Sequence, residues 1–113
     1  MVDLKNKDNG FTVLYGGKEI GVIEYKDFWS GMPYLGLIKL DPEYRGRGIG
    51  KQALALFEQK LRIEGNKALL VSTQSDEEAQ FFYRKLGYKE CGCLILEGTP
   101  FAQAMEMFFI KNL

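Results

Sequence analysis

The spacing of apolar residues along this chain changes several times, and each spacing predicts a different element. From Phe11 to Tyr25, FTVLYGGKEIGVIEY alternates apolar residues with small or polar ones around Gly16-Gly17, which predicts two antiparallel strands joined by a tight turn. The charged, glycine- and proline-bearing stretch Lys26 to Pro33 reads as a loop. YLGLIKL, Tyr34 to Leu40, reads as a buried third strand that stops at Asp41-Pro42. From Ile49 to Glu64 the residues Ile49, Ala53, Leu54, Leu56, Phe57 and Leu61 recur at three- and four-residue steps, an amphipathic helix closed by Gly65. Ala68 to Val71 is short and wholly apolar, as a central strand covered on both faces should be.

Asp76 reads as the N-cap of a second helix, with Glu77 and Glu78 in its first turn and the stripe Ala79, Phe82, Tyr83 and Leu86 before Gly87. Tyr88 to Glu97 and Gln103 to Asn112 read as a closing antiparallel pair joined through Gly98-Thr99-Pro100. The predicted order is β-β-β-α-β-α-β-β, an α/β (α+β) chain with one mixed, mostly antiparallel sheet flanked by two helices. The first ten residues, MVDLKNKDNG, stand outside it. A length of 113 residues suits one domain over the whole chain, residues 1–113, without repeats or linkers.

Fifteen basic residues balance fifteen acidic ones, which argues against a dominant grip on nucleic acid. No apolar run approaches the roughly 20 residues of a membrane span. The polar start lacks the apolar centre of a secretory signal, so a cytoplasmic location is expected. Cys91 and Cys93 would share one strand face and suit small buried hydrophobes better than a disulfide. With no histidine and two cysteines, no metal site is expected, and the usual neutral-pH general base is missing.

Against that background Leu40 to Leu54, LDPEYRGRGIGKQAL, carries the strongest chemical signal: Gly46, Gly48 and Gly50 open a helix where glycine is costly. A helix start offers unpaired N–H groups and partial positive charge, and glycines let an anion approach. Arg45 and Arg47 would add charge at the rim. A phosphate-binding Walker loop fails, because Arg45 stands where glycine is due and Gln52 follows Gly50-Lys51. The dinucleotide fingerprint fails at Lys51. What remains is R-x-x-G-x-G.

That turn resembles the acyl-CoA-binding turn of the GNAT superfamily of N-acetyltransferases. The later block SDEEAQFFYRKLGYKECG is similar to the family's N-x-x-A-x-x-x-Y-x-x-x-G-F, with Ala79, Tyr83 and Gly87 in register, Tyr88 as the aromatic and Asp76 in place of Asn. The resemblance covers Phe11 to Leu113. It implies the acyl-CoA N-acyltransferase fold and acetyl-CoA as cofactor. By resemblance, backbone amides from Gly46, Arg47, Gly48, Ile49, Gly50 and Lys51 hold the diphosphate, with Arg45 at the turn, and Asp76 is a further cofactor-binding position. Main-chain groups of Ile38, Lys39 and Leu40 pair with the pantetheine arm, and Tyr83 is the general acid at the sulfur.

Tyr83 could instead simply pack, since it belongs to the apolar stripe of its helix. A family carboxylate base on the central strands is absent, with Val71 where some relatives have Glu. Glu24 on a neighbouring strand is the candidate that remains, against the alternatives of a solvent-facing glutamate and proton loss to water. Asp41 and Glu43 sit beside two arginines and read as local caps or pairs, and Arg84 and Lys85 as solvated helix-face charges, with contact to the cofactor's phosphates as the lesser alternative. Phe28, Trp29 and Met32 could line an acceptor pocket or meet a second subunit in a homodimer. The resemblance also implies a strand and one or two helices before the hairpin, where this chain has about ten residues. The expected activity is transfer of acetyl from acetyl-CoA to a primary amine, small-molecule or peptide, with no nucleic acid or membrane partner. A non-catalytic acyl-CoA-binding module of the same fold is the alternative, and a phosphate-binding domain on nucleic acid is a third.

Overall fold

A computed structural model describes all 113 residues. The strands are β1 (Val2–Lys7), β2 (Gly10–Tyr15), β3 (Lys18–Trp29), β4 (Met32–Leu40), β5 (Ala68–Gln74), β6 (Lys89–Leu94) and β7 (Glu106–Asn112). Helix α1 (Ile49–Ile63) follows a short 3-10 turn at Pro42–Tyr44, and α2 (Ala79–Lys85) lies between β5 and β6. All seven strands form one sheet in the order β1-β2-β3-β4-β5-β7-β6, antiparallel except for β4 with β5. The mixed sheet with two helices is the expected class. No helix is long and apolar enough to cross a membrane.

Three elements depart from the sequence reading. The first ten residues are not outside the sheet: Val2 and Leu4 alternate with Asp3 and Lys5, and β1 buries the two apolar side chains while pairing with β2 from Val2↔Tyr15 to Lys7↔Gly10. The implied N-terminal strand is therefore present, but two residues, Asp8 and Asn9, stand where helices were implied between it and β2. The stretch Lys26 to Pro33 is a hairpin, because β3 runs on to Trp29 and turns at Ser30-Gly31 into β4. Cys91 and Cys93 are exposed free thiols. They lie on β6, which has a sheet neighbour on one side only and no buried residue.

The pairing register assigns the faces. Leu69, Val71 and Thr73 pair with Lys111, Phe109 and Met107, and this face carries both helices: Lys111 bonds Glu58 of α1, and Arg84 of α2 lies over the Phe109 ring. Ala53, Leu54, Phe57 and Leu61 give α1 its buried stripe, with Phe57 set edge-on against Phe11 and Tyr25. Leu70, Ser72 and Gln74 pair with Ile110, Phe108 and Glu106 on the opposite face. The core is one cluster of buried side chains running from Val2 to Phe109.

Candidate active site

β4 and β5 pair only at Tyr34↔Leu70 and Leu35↔Val71 and then part. The cause is local. Opposite β3, Glu24 pairs with Leu37 and Tyr25 with Leu35, so Gly36 is an extra residue that bends β4 away at this point. Beyond it, Gly36 to Leu40 and Ser72 and Thr73 face each other across a cleft of about 550 Å³. Gly50 of α1 and Ala79, Phe82 and Tyr83 of α2 complete its walls. Main-chain groups turned toward such a gap need partners from solvent or from a ligand.

At one end the glycine turn divides the work. Gly46 (φ 72°) and Gly48 (φ 78°) occupy the left-handed region, and a side chain at either would point into open space. Gly50 is ordinary helix, and there a Cβ would lie 3.8 Å from Leu40 and 3.9 Å from Phe82, ordinary contact distances, so a methyl group would fit between the two without a clash. Arg45 Nε donates to the Leu40 carbonyl at 2.9 Å, tying the turn to the strand end. A second hollow of about 430 Å³ is lined by Arg45, Gly46, Gly48, Gly50, Lys51 and Lys85, and it shares Leu40 and Phe82 with the cleft. Lys85 is thus part of this basic end and not a merely solvated charge.

Several expected members stand elsewhere. Arg47 is not at the rim: its guanidinium lies 5.5 Å and 5.4 Å from the ring centres of Tyr15 and Tyr44, a stacking that draws it over β2. The Ile49 side chain is buried in the core. Asp76 lines neither hollow and does not cap α2, whose first residue follows Glu78. Glu77 does the local work instead, accepting from the Gln74 N–H at 2.8 Å and from Thr73 Oγ1 at 3.3 Å, which turns the end of β5 toward α2. Glu24 is outside the cleft, paired with Lys7 of β1 at 2.8 Å. Asp41 and Glu43 line neither hollow, and Trp29 and Met32 border a separate hollow with Lys67 and Ala68.

Tyr83 is where the motif puts it, 6% exposed, with its ring against Phe82 and Tyr88 and its side chain in the cleft wall. Across from it Tyr34 and Ser72 share a hydroxyl hydrogen bond of 2.6 Å. Burial, reinforced by Tyr34 and Glu77, pushes the Tyr83 phenol up to about 12. A raised phenol favours the protonated form in the folded chain. The folded state therefore holds its full stability below pH 10 and loses up to about 3 kcal/mol from this group as pH rises toward 12. Urea unfolding at pH 8 and pH 11 checks this: Tyr83→Phe should lessen the alkaline loss, and an unchanged loss would assign it elsewhere.

One feature of the site has only a faint sequence signal. Glu58 falls between Phe57 and Leu61 on the buried stripe of α1, and a carboxylate in an apolar stripe is the hint that it is paired. Tyr88 Oη donates to its Oε2 at 2.5 Å, and Lys111 Nζ reaches Oε1 and Oε2 at 3.0 and 3.2 Å. This network holds the Tyr88 ring 5.5 Å from that of Tyr83.

The sequence from residue 3 to residue 88 matches the family model described as acetyltransferase (GNAT) family. No curated protein sequence matches. Among solved structures, the chain resembles a protein from Bacillus anthracis described as a streptothricin acetyltransferase, in complex with acetyl coenzyme A. The two are 25% identical with a TM-score of 0.79, over 96% of this chain and 65% of that one. It is also similar to the ribosomal-protein-S18-alanine N-acetyltransferase of Escherichia coli, 18% identical with a TM-score of 0.75, over 95% of this chain and 71% of that one. A GNAT family acetyltransferase from Elizabethkingia anophelis with acetyl-CoA bound gives 18% identity and a TM-score of 0.77, covering 93% and 77%. This chain thus spans just under two thirds of the length of the first of these. The family match covers most of the chain and contains the parted strands, the glycine turn and Tyr83: the chain belongs to the acetyltransferase (GNAT) family.

Proposed function

We propose that this chain is an acetyl-CoA-dependent N-acetyltransferase that passes the acetyl group to a primary amine by direct attack with both substrates bound. The observation that carries the reading is the cleft between β4 and β5, basic at its glycine end and holding Tyr83 in its wall. The residues fit the cofactor. Arg45, Lys51 and Lys85 surround a hollow that no carboxylate lines, and the space beside Gly46 and Gly48 is what a diphosphate would fill. Ile38, Lys39 and Leu40 offer backbone to a pantetheine arm, and the main-chain N–H groups from Gly46 to Lys51 offer donors to the phosphates. Acetyl-CoA, when bound, supplies an activated thioester. Tyr83 keeps its proton throughout the neutral range and is the acid for a departing thiolate. Asp76, the Arg47 guanidinium and Glu24 have no place in this assignment. The amine loses its proton to water or to a carboxylate that lines the cleft.

Calorimetry with acetyl-CoA tests the cofactor site. In Gly48→Glu a carboxylate enters the basic end, and affinity should fall by about 100-fold or more, whereas Gly48→Ala should cost backbone strain of about 1 kcal/mol in stability and little affinity. Unchanged affinity in Gly48→Glu would move the diphosphate elsewhere. Thiol release with an amine panel tests transfer; binding without release from any amine would leave the chain an acyl-CoA-binding module.

A further inference from the structure

We infer that the acceptor is an amine cation carrying an aromatic or bulky apolar group, with Phe28, Tyr34 and Phe108 receiving the group and Glu106 the charge. This rests on the acetyltransfer reading and narrows it to a substrate class. The sheet face opposite the helices carries three rings that touch one another. Phe28 and Tyr34 are 5.6 Å apart, Phe28 and Phe108 6.2 Å, and Tyr34 and Phe108 6.5 Å, tilted by 42° to 46°. No helix covers them, and Phe28 is 53% exposed. Tyr34 also lines the cleft, beside Ser72, so one member of the aromatic cluster shares a cleft with Tyr83.

Charge gives that surface a direction. The cleft is basic toward the glycine turn, at Lys39 and Arg45, and acidic on the β5 side, at Glu77 and Glu106. Glu77 already accepts two hydrogen bonds at the end of β5. Glu106 enters no ion pair within the chain, and its pairing with Gln74 places it on the same face as Phe108, two residues along β7. A carboxylate on the same sheet face as Phe108, lining the cleft together with Tyr34, suits an ammonium group, through a charge-assisted hydrogen bond and cation–π attraction. An apolar group next to that ammonium would cover rings that a bare alkylamine leaves in water.

The test compares phenethylamine with n-propylamine on the full chain at saturating acetyl-CoA. By thiol release, kcat/KM should favour phenethylamine by about tenfold or more. Phe28→Ala, at an exposed position that should not disturb folding, and Phe108→Ala should each reduce the preference to about twofold with acetyl-CoA affinity unchanged. Glu106→Gln should raise KM for both amines about tenfold, again with acetyl-CoA affinity unchanged. Equal kcat/KM for the two amines, or a preference that survives both phenylalanine variants, overturns the assignment. Calorimetry of phenethylamine on the chain with coenzyme A separates the two readings. Binding that Phe108→Ala abolishes, without any thiol release, upholds the amine site while ending the transfer reading; absence of both binding and release overturns the amine site.

Discussion

Tyr83→Phe should lower kcat for thiol release by about 100-fold while leaving acetyl-CoA affinity within about twofold. The ring itself is structural: it packs against Phe82 and Tyr88 in the core cluster, and phenylalanine keeps those contacts. The hydroxyl is a different matter. It makes no hydrogen bond within the chain, and no buried side-chain oxygen lacks a partner, so it opens onto the cleft. Removing it therefore strands no buried group and should change stability by less than about 1 kcal/mol at pH 8. Because the phenol is raised to about 12, any fall in the wild-type rate below pH 10 belongs to another group. An unchanged kcat would reduce Tyr83 to the packing role that its helix stripe also allows.

The contrast between Tyr83 and Glu24 indicates what a sequence of this kind discloses. Tyr83 is legible because its place depends on one helix: Ala79, Tyr83 and Gly87 at four-residue steps put the tyrosine on the face that meets the sheet. The glycine turn is legible for the same reason, since Arg45 to Lys51 sits at a strand end and a helix start that periodicity alone predicts. Glu24 fails because its surroundings depend on pairing between distant strands. The bulge at Gly36 decides where β4 leaves β5, and Lys7, on a strand hidden in a polar N-terminus, captures the carboxylate. The Arg47 guanidinium is misplaced likewise, drawn from the rim by Tyr15 and Tyr44, which are far apart in sequence. Cys91 and Cys93 read as buried because alternation marks a face without saying whether anything covers it, and β6 turned out to be an edge.

Glu58→Ala should cost about 3 kcal/mol, the largest loss of stability expected from any single charged position in the chain. Glu58 is 6% exposed and is the shared partner of Tyr88 and Lys111. Deleting it leaves a hydroxyl without an acceptor in a buried place and an ammonium beside the core without a counter-charge. Lys111 is partly exposed, so its amine can turn toward water, which holds the cost to the lower part of the range for a broken buried pair. The double variant Glu58→Leu with Lys111→Met removes both charges and should recover the part of the loss due to the unpaired ammonium, with the Tyr88 hydroxyl still lacking its acceptor, while Tyr88→Phe alone should cost about 1 kcal/mol. Urea unfolding of Glu58→Leu, of Lys111→Met and of the double gives the coupling directly, and additive losses would mean that the network contributes nothing beyond its separate side chains. The same variants reach the cleft. With Tyr88 no longer anchored to α1, the ring that abuts Tyr83 is free to shift, and Glu58→Ala should also lower kcat about tenfold at temperatures where the chain is still folded.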